Sequence, residues 1–202
     1  MNFLAHLFLS EEDEGIMTGN FMADHVKGKQ AYQYNSKITK GILLHRFIDA
    51  FTDNHEVVKQ SKQRLYSKYH KYAPVIVDVF YDHFLAADFN KHSEESLSFF
   101  SQKCYRILSK NLNLMPERVQ NFLPYMIRYD WLNSYAKPEG AGRALAGLAS
   151  RSKFNSNMQN AVYDLIADYD FYKNDFNLFF PELVKYSKEF LEKNETINNL
   201  LP

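Results

Sequence analysis

The stretch Lys37-Ile-Thr-Lys-Gly-Ile-Leu-Leu-His-Arg-Phe-Ile-Asp-Ala-Phe-Thr-Asp-Asn54 decides the fold class. Its apolar residues Ile38, Ile42, Leu43, Phe47, Ile48 and Phe51 recur at helical intervals and make one broad stripe. Asn35 or Ser36 is placed to cap the start of this helix. The same helix carries His45, Asp49 and Asp53 at intervals of four, so their side chains form one row along one face.

Helical patterning continues on both sides. Upstream, Ile16, Met17, Phe21, Met22 and Val26 give Glu14–Val26 a helical period, Gly28 is placed to stop it, and Gly28-Lys29-Gln30 reads as a loop. Downstream, a helix is expected through about Tyr69. Pro74 suits the first turn of the next, which runs through Phe89 with Val75, Val79, Phe80 and Phe84 toward a core. Ser93 or Glu94 opens a helix through Leu108, and Pro116 opens one through about Tyr135. The stretch 137–142 reads as a turn before a short helix, Arg143–Ser150. Two C-terminal helical segments follow Asn155 and part near Asp170. Only 7 glycines and 6 prolines punctuate 202 residues, and no strand pair, repeat or low-complexity linker interrupts the pattern. One all-α domain over residues 1–202, a helical bundle, is the expected architecture.

Composition narrows the chemistry. Hydrophobic residues are 46% and charged residues 24%, ordinary globular usage. Lys+Arg 24 balance Asp+Glu 24, so nothing draws the whole chain toward nucleic acid or anionic lipid. The single cysteine, Cys104, has no disulfide partner and cannot build a thiolate metal cage; it reads as a small residue of an amphipathic helix. The opening Met1–Ser10 is apolar but lacks a basic start and runs into Glu11–Glu14, unlike a secretory signal. No run approaches the roughly 20 apolar residues of a membrane span, so a cytoplasmic protein is expected.

Polar groups break the apolar stripes of the first 90 residues in a recurring way. Besides the His45 row, Asp78 and Asp82 stand four apart with His83 beside Asp82, Asp24-His25 precedes Gly28, and His6 interrupts Phe3-Leu-Ala-His-Leu-Phe8. Taken singly, each has a structural reading: a hydrogen-bonded core histidine, or an acidic row on a solvated face. Taken together, carboxylates and imidazoles from separate helices near the core would be costly to bury unpaired. A divalent cation that takes oxygen and nitrogen ligands offsets that cost, and Mn²⁺ or Mg²⁺ suits such a set. It would also acidify a bound water and polarise a phosphoryl group. The chain has no Gly-rich phosphate loop, no G-x-S-x-G elbow, no H-E-x-x-H and no E-x-x-H pair.

At these residues the chain resembles the acyl-carrier-protein phosphodiesterases. The matching blocks are Asn2-Phe-Leu-Ala-His6-Leu, Gly19-Asn20 to Ala23-Asp24 and on to Lys27-Gly28, and Gly41 through His45-Arg46 and Ile48-Asp49 to Thr52-Asp53-Asn54. Ala73-Pro74, Asp78 to Asp82-His83-Phe84-Leu85, Gly147-Leu-Ala-Ser-Arg151 and Tyr163-Asp164-Leu165 continue the match over nearly the whole chain. The resemblance implies a helical fold related to the HD-type metal phosphohydrolases, Mn²⁺ as metal, and hydrolysis of the phosphodiester between 4′-phosphopantetheine and a serine of holo acyl carrier protein. The HD pair itself is absent: the chain has only Asp24-His25 and Asp82-His83, in reverse order.

On this basis His6, Asp24, His45, Asp49, Asp78 and Asp82 are expected to supply or adjoin the metal shell. His83 is a candidate ligand or general acid, Asp53 an orienter of an imidazole, and Arg46 and Arg151 candidates for the phosphate oxygens. The carrier substrate is expected to be acidic, which assigns Lys27, Lys29, Arg143, Arg151 and Lys153 to a basic rim. The aromatic C-terminal part, with Tyr163, Tyr169, Phe171, Tyr172, Phe176, Phe179 and Phe180, reads as core or rim, with covering the pantetheine arm as an alternative. Two rivals remain at this stage: a phosphohydrolase of nucleotides or small phosphodiesters, and a helical protein that binds the carrier without cleaving it. The oligomeric state stays open.

Overall fold

The computed structural model describes residues 1–198, and every regular element among them is helical. In chain order these are α1 (Phe3–Phe8), α2 (Glu14–Met22), α3 (Ser36–Asn54), α4 (Glu56–Tyr69), α5 (Ala73–Ala87), α6 (Leu97–Lys110), α7 (Glu117–Arg128), α8 (Trp131–Ser134), α9 (Pro138–Ser150), α10 (Ala161–Ala167) and α11 (Tyr169–Asn198). The chain forms a single all-α domain, as the patterning predicts.

Local chemistry sets several starts. The side chain of Asp13 accepts from the backbone N–H of Gly15 and Ile16, Asn35 from Ile38, and Ser96 from Phe99, each satisfying a free donor of a first helical turn. α5 lies at the centre: Ile76, Val77, Val79, Phe80, Tyr81, Phe84 and Leu85 are all buried, so it packs on several sides against α1, α4, α9 and α11.

Several boundaries differ from the sequence reading: Gly28-Lys29-Gln30, expected as a loop, opens a 3₁₀ helix, Gly28–Gln33, and the helix expected from Ser93 or Glu94 starts at Leu97, capped by Ser96. The helix from Glu14 turns into a tighter 3₁₀ turn over Ala23–His25, which swings Asp24 off the helix axis. The helix expected from Pro116 to Tyr135 breaks at Asp130, whose φ of 45° is left-handed, and restarts as α8. The stretch 137–142, expected as a turn, is helical from Pro138, since proline in a first turn forfeits no helical hydrogen bond.

The contact that matters for the site is between α2 and α3. A Cβ on Gly19 would fall 2.0 Å from the Ile38 carbonyl oxygen, and one on Gly41 would fall 2.1 Å from the Ile16 oxygen. Only glycine at both positions lets the two backbones approach so closely. That approach brings the main chain of Asn20 against His45, one turn beyond Gly41.

Candidate metal centre and its cleft

The geometry begins with Asp82. This α5 carboxylate accepts the backbone N–H of Asn2 (3.3 Å), Leu4 (2.7 Å) and Ala5 (3.2 Å), so it holds the first turn of α1. Burial pushes its pKa up to about 7, against the pull of these donors. Asp82 therefore sits behind α1 as a positioning group, and not among the ligands where sequence spacing had put it. What it positions is His6.

Asn20 then fixes the state of two imidazoles. Its amide nitrogen donates to the His6 carbonyl (2.7 Å) and to Ser10 Oγ (2.9 Å), and Ser10 Oγ donates in turn to the same carbonyl (2.7 Å). The amide oxygen is left facing His6 Nδ1 at 2.8 Å, so that nitrogen carries the proton. The Asn20 main-chain oxygen faces His45 Nδ1, also at 2.8 Å, and a carbonyl can only accept. Both rings are thus Nδ1–H, and both turn Nε2 the same way. The rings stack with centroids 4.0 Å apart and planes 16° from parallel.

Asp49 receives them. His6 Nε2 is 3.3 Å from Asp49 Oδ1, and His45 Nε2 is 3.2 Å from Asp49 Oδ2 and 3.2 Å from Asp24 Oδ1. Ligand atoms of His6, His45 and Asp49 all lie within 4.8 Å of one another. His6 Nε2 is buried with no hydrogen-bond partner, because its approach to Asp49 has the distance but not the direction of a hydrogen bond. Leaving such an atom unsatisfied costs about 1–3 kcal/mol. A lone pair, a second imidazole and a carboxylate pointing at one place fit a divalent cation with mixed nitrogen and oxygen ligands. Hydrogen bonding of the far ring nitrogens is the usual support for such ligands.

Without a cation the cluster redistributes protons. Burial, then the charge of His45, pushes His6 down to about 4. Burial also opposes a charge on His45, but hydrogen bonds and charges from Asp24 and Asp49 outweigh it and raise His45 to about 9. Asp49 resists protonation although burial works the other way, since both imidazoles hold it well below the usual carboxylate range. Asp24 is likewise held low, chiefly by its hydrogen bond from His45.

The cluster opens into a cleft of about 920 Å³. Asp24, His45, Asp49, Asp53 and Asp78 line one side. Asp78 lies 2.9 Å from the α-amino group of Met1, which neutralises it locally. The rest of the lining includes Arg118, Phe122, Tyr125, Trp131, Arg143 and Arg151.

The structure therefore brings His6, Asp24, His45 and Asp49 to one point, with Asp78 on the same wall, and gives other predicted residues different work. Asp53 pairs with Lys62 at 2.7 Å and holds no imidazole, because its carboxylate points along α3 toward α4. His83 is outside the cleft: its Nδ1 donates to the Tyr135 carbonyl (2.7 Å) and its Nε2 faces the Tyr169 hydroxyl (3.1 Å), tying α5 to the segments after α8 and α10. Arg46 is spent on the Val26 and Gly28 carbonyls at 3.2 and 3.0 Å, where it clamps the turn after α2. Of the expected basic rim, Arg143 and Arg151 line the cleft. Lys27 and Lys29 do not, and Lys153 lies over Phe154. Tyr172, Phe176, Phe179 and Phe180 are core, and Tyr163 and Phe171 are exposed away from the cleft, so no C-terminal aromatic covers it. Asn20, Arg118 and the α7–α8 aromatics were not singled out from the sequence. Asn20 alone left a signal there, as a polar residue inside the apolar run Ile16–Met22.

Comparison with known proteins points the same way. The family described as acyl carrier protein phosphodiesterase matches residues 1–183. A protein of that name from Serratia proteamaculans is 34% identical over 191 residues, covering 94% of this chain and 98% of its own. One from Photorhabdus laumondii is 31% identical over 196 residues, covering 96% and 97%. One from Yersinia enterocolitica is 30% identical over 190 residues, covering 94% and 98%. No solved structure matches the chain. Matched over nearly its whole length by the family and by these relatives, the chain belongs to the acyl carrier protein phosphodiesterase family.

Proposed function

We propose that this protein hydrolyses the phosphodiester joining 4′-phosphopantetheine to a serine of holo acyl carrier protein, with a divalent cation, and releases apo carrier and 4′-phosphopantetheine. The observation that carries the reading is the orphaned Nε2 of His6 converging with His45 and Asp49 at the acidic side of a large cleft. Family membership supplies the substrate.

His6, His45 and Asp49 would hold the ion, with Asp24 completing or adjoining the shell. Bound there, Mn²⁺, the metal the resemblance implies, would act as a Lewis acid toward the phosphoryl oxygens and make water more acidic. The chain's own residues do the rest. Asn20 keeps both imidazoles as Nδ1–H, so each presents an Nε2 lone pair inward. Asp82 fixes α1 and with it the His6 ring. Asp24, with its carboxylate open to the cleft and ionised at neutral pH, orients the attacking water as a hydrogen-bond acceptor. Guanidinium groups elsewhere in the lining neutralise the phosphate while it is in place. No described helix is long and apolar enough to cross a membrane, which agrees with a cytoplasmic enzyme meeting its carrier there.

The test is mass spectrometry of holo acyl carrier protein incubated with the protein in Mn²⁺ and in EDTA, with linear and cyclic nucleotides alongside. Loss of the phosphopantetheine mass only with metal is the expected result. Turnover of nucleotides alone would move the reading to a small phosphodiester, and turnover undiminished by EDTA would remove the metal.

A further inference from the structure

Beside the acid–histidine cluster, α7 and α9 also line the cleft. From α7 the inward residues are Arg118, Phe122 and Tyr125, followed just past its end by Tyr129, a spacing that keeps them in one row. From α9 they include Arg143, Leu148 and Arg151, again on one face.

Two features of this wall suit it to a ligand. Arg118, Arg143 and Arg151 have no carboxylate within ion-pair distance among the described residues, whereas Arg64, outside the cleft, pairs with the buried Asp175. Three guanidinium groups that line one cleft with no fixed carboxylate are free to meet an anion. The second feature is aromatic. Tyr125 and Tyr129 are 59% and 62% exposed, beside the half-buried Phe122 and Trp131 rings, which lie 2° from parallel and pack on the core, Phe122 against Phe3 and Phe21. Large rings left open in a concave surface, together with arginine, are the residue types that dominate binding sites.

We infer that the α7–α9 wall is the recognition site for the phosphopantetheine arm, with Arg118 on the phosphate, Phe122, Tyr125, Tyr129 and Trp131 along the uncharged chain, and Arg143 and Arg151 toward the acidic carrier. The inference rests on the substrate proposed above. The arm is a neutral chain of amides and methyl groups with its only charge at one end, and the wall has matching chemistry: flat rings next to guanidinium. The wall and the acid–histidine cluster line the same cleft, so a phosphate near the cluster puts the arm within reach of these rings.

Trp131 is the only tryptophan of the chain, so its emission reports on this wall alone. With Mn²⁺ bound, titration with 4′-phosphopantetheine should change the emission saturably, and inorganic phosphate at equal concentration should not. Arg118→Ala should weaken that binding by about tenfold and Tyr125→Ala by about fivefold, in line with a charged hydrogen bond and one aromatic contact. Both side chains are exposed, so the fold is expected to survive, and circular dichroism verifies it. In turnover, Tyr125→Ala should raise KM for holo carrier with little change in kcat, whereas Arg118→Ala, which faces the reacting phosphate, should raise KM and also lower kcat. No emission change, or binding indifferent to both substitutions, would overturn the inference even if the carrier is cleaved. A saturable response in a protein that leaves holo carrier intact would uphold it and defeat the proposed reaction.

Discussion

The two walls of the cleft are built on opposite principles. On the α1–α2–α3 side, His6, Asn20 and His45 are buried, every nitrogen but one has a fixed partner, and the backbones touch at Gly19 and Gly41. On the α7–α9 side, Arg118, Tyr125 and Tyr129 are exposed and no ion pair fixes the arginine. The first wall is set before anything binds, as a ligand shell must be if its lone pairs are to converge. The second keeps its groups available to a partner. Damage to the first should therefore erase function, and damage to the second should grade it.

Asp49→Asn should have the largest effect. Asp49 is the one carboxylate that meets both imidazoles, so its amide would lose both metal affinity and the charge that holds His45 protonated. Turnover should fall by more than about a hundredfold, the upper range for groups that merely orient a ligand. Calorimetry with Mn²⁺ should show the site gone while helicity is kept. Tight Mn²⁺ binding in this variant would exclude Asp49 from the shell.

Gly41→Ala tests the same wall from behind. A methyl group 2.1 Å from a backbone oxygen cannot be accommodated by a rotamer change, so α2 and α3 must separate. The expected cost is about 3 kcal/mol in urea denaturation. Because separation also pulls Asn20 from His45, Mn²⁺ affinity should fall in molecules that remain folded. Asn20→Ala isolates that second effect, with a loss of about 10–100-fold in metal affinity.

These two residues also show what the sequence could and could not reveal. The helices were legible because apolar residues recur with the helical period from α2 to α6, and the His45–Asp49 row was legible because four residues on a helix is a spatial adjacency. His6 and Asp24 stood out as polar groups interrupting apolar stripes, but their meeting with His45 depends on how three helices cross, which no spacing in the sequence shows. Asn20 left a mark as a polar residue in an apolar run, but its role did not show, because it lies in two contacts to residues 14 and 25 positions away. Asp82 and His83 misled, because a buried carboxylate that caps a helix and one that binds a metal leave the same mark in a sequence. The break at Asp130, which creates the α7–α8 corner and turns Trp131 into the cleft, depends on a single left-handed residue with no glycine to announce it.

Proton linkage should distinguish the walls without mutation. In EDTA, His45 titrates near 9 in the folded protein against about 6.5 unfolded, so its contribution is complete below about pH 6.5 and disappears as pH rises to 9. His6 works with the opposite sign: held near 4, it resists the proton the unfolded chain accepts, so stability increases from about pH 4 to 6.5. Asp82, raised to about 7 by burial, opposes His6 over that range, so the His45 contribution is read from the fall above about pH 7, which should amount to about 3 kcal/mol. His45→Gln should flatten that fall, and so should saturating Mn²⁺, which binds only the deprotonated ring. An alkaline limb unchanged in the variant would assign it to other groups.

The smallest effect belongs to the charges outside the cleft. Lys27 precedes and Lys29 lies within the 3₁₀ helix Gly28–Gln33, and neither lines the cleft, so they can act on an acidic carrier only at a distance. Reversing both to Glu should lower kcat/KM by only a few-fold at low salt, and the loss should vanish at about 0.5 M salt, where the screening length falls to a few ångströms. Arg143→Ala with Arg151→Ala removes groups that line the cleft, and part of that loss should persist at high salt because contact replaces steering. If salt cancels both losses equally, the arginines act only through their long-range field. If it cancels neither, the lysines touch the carrier, and the recognition surface extends past the cleft to the turn after α2.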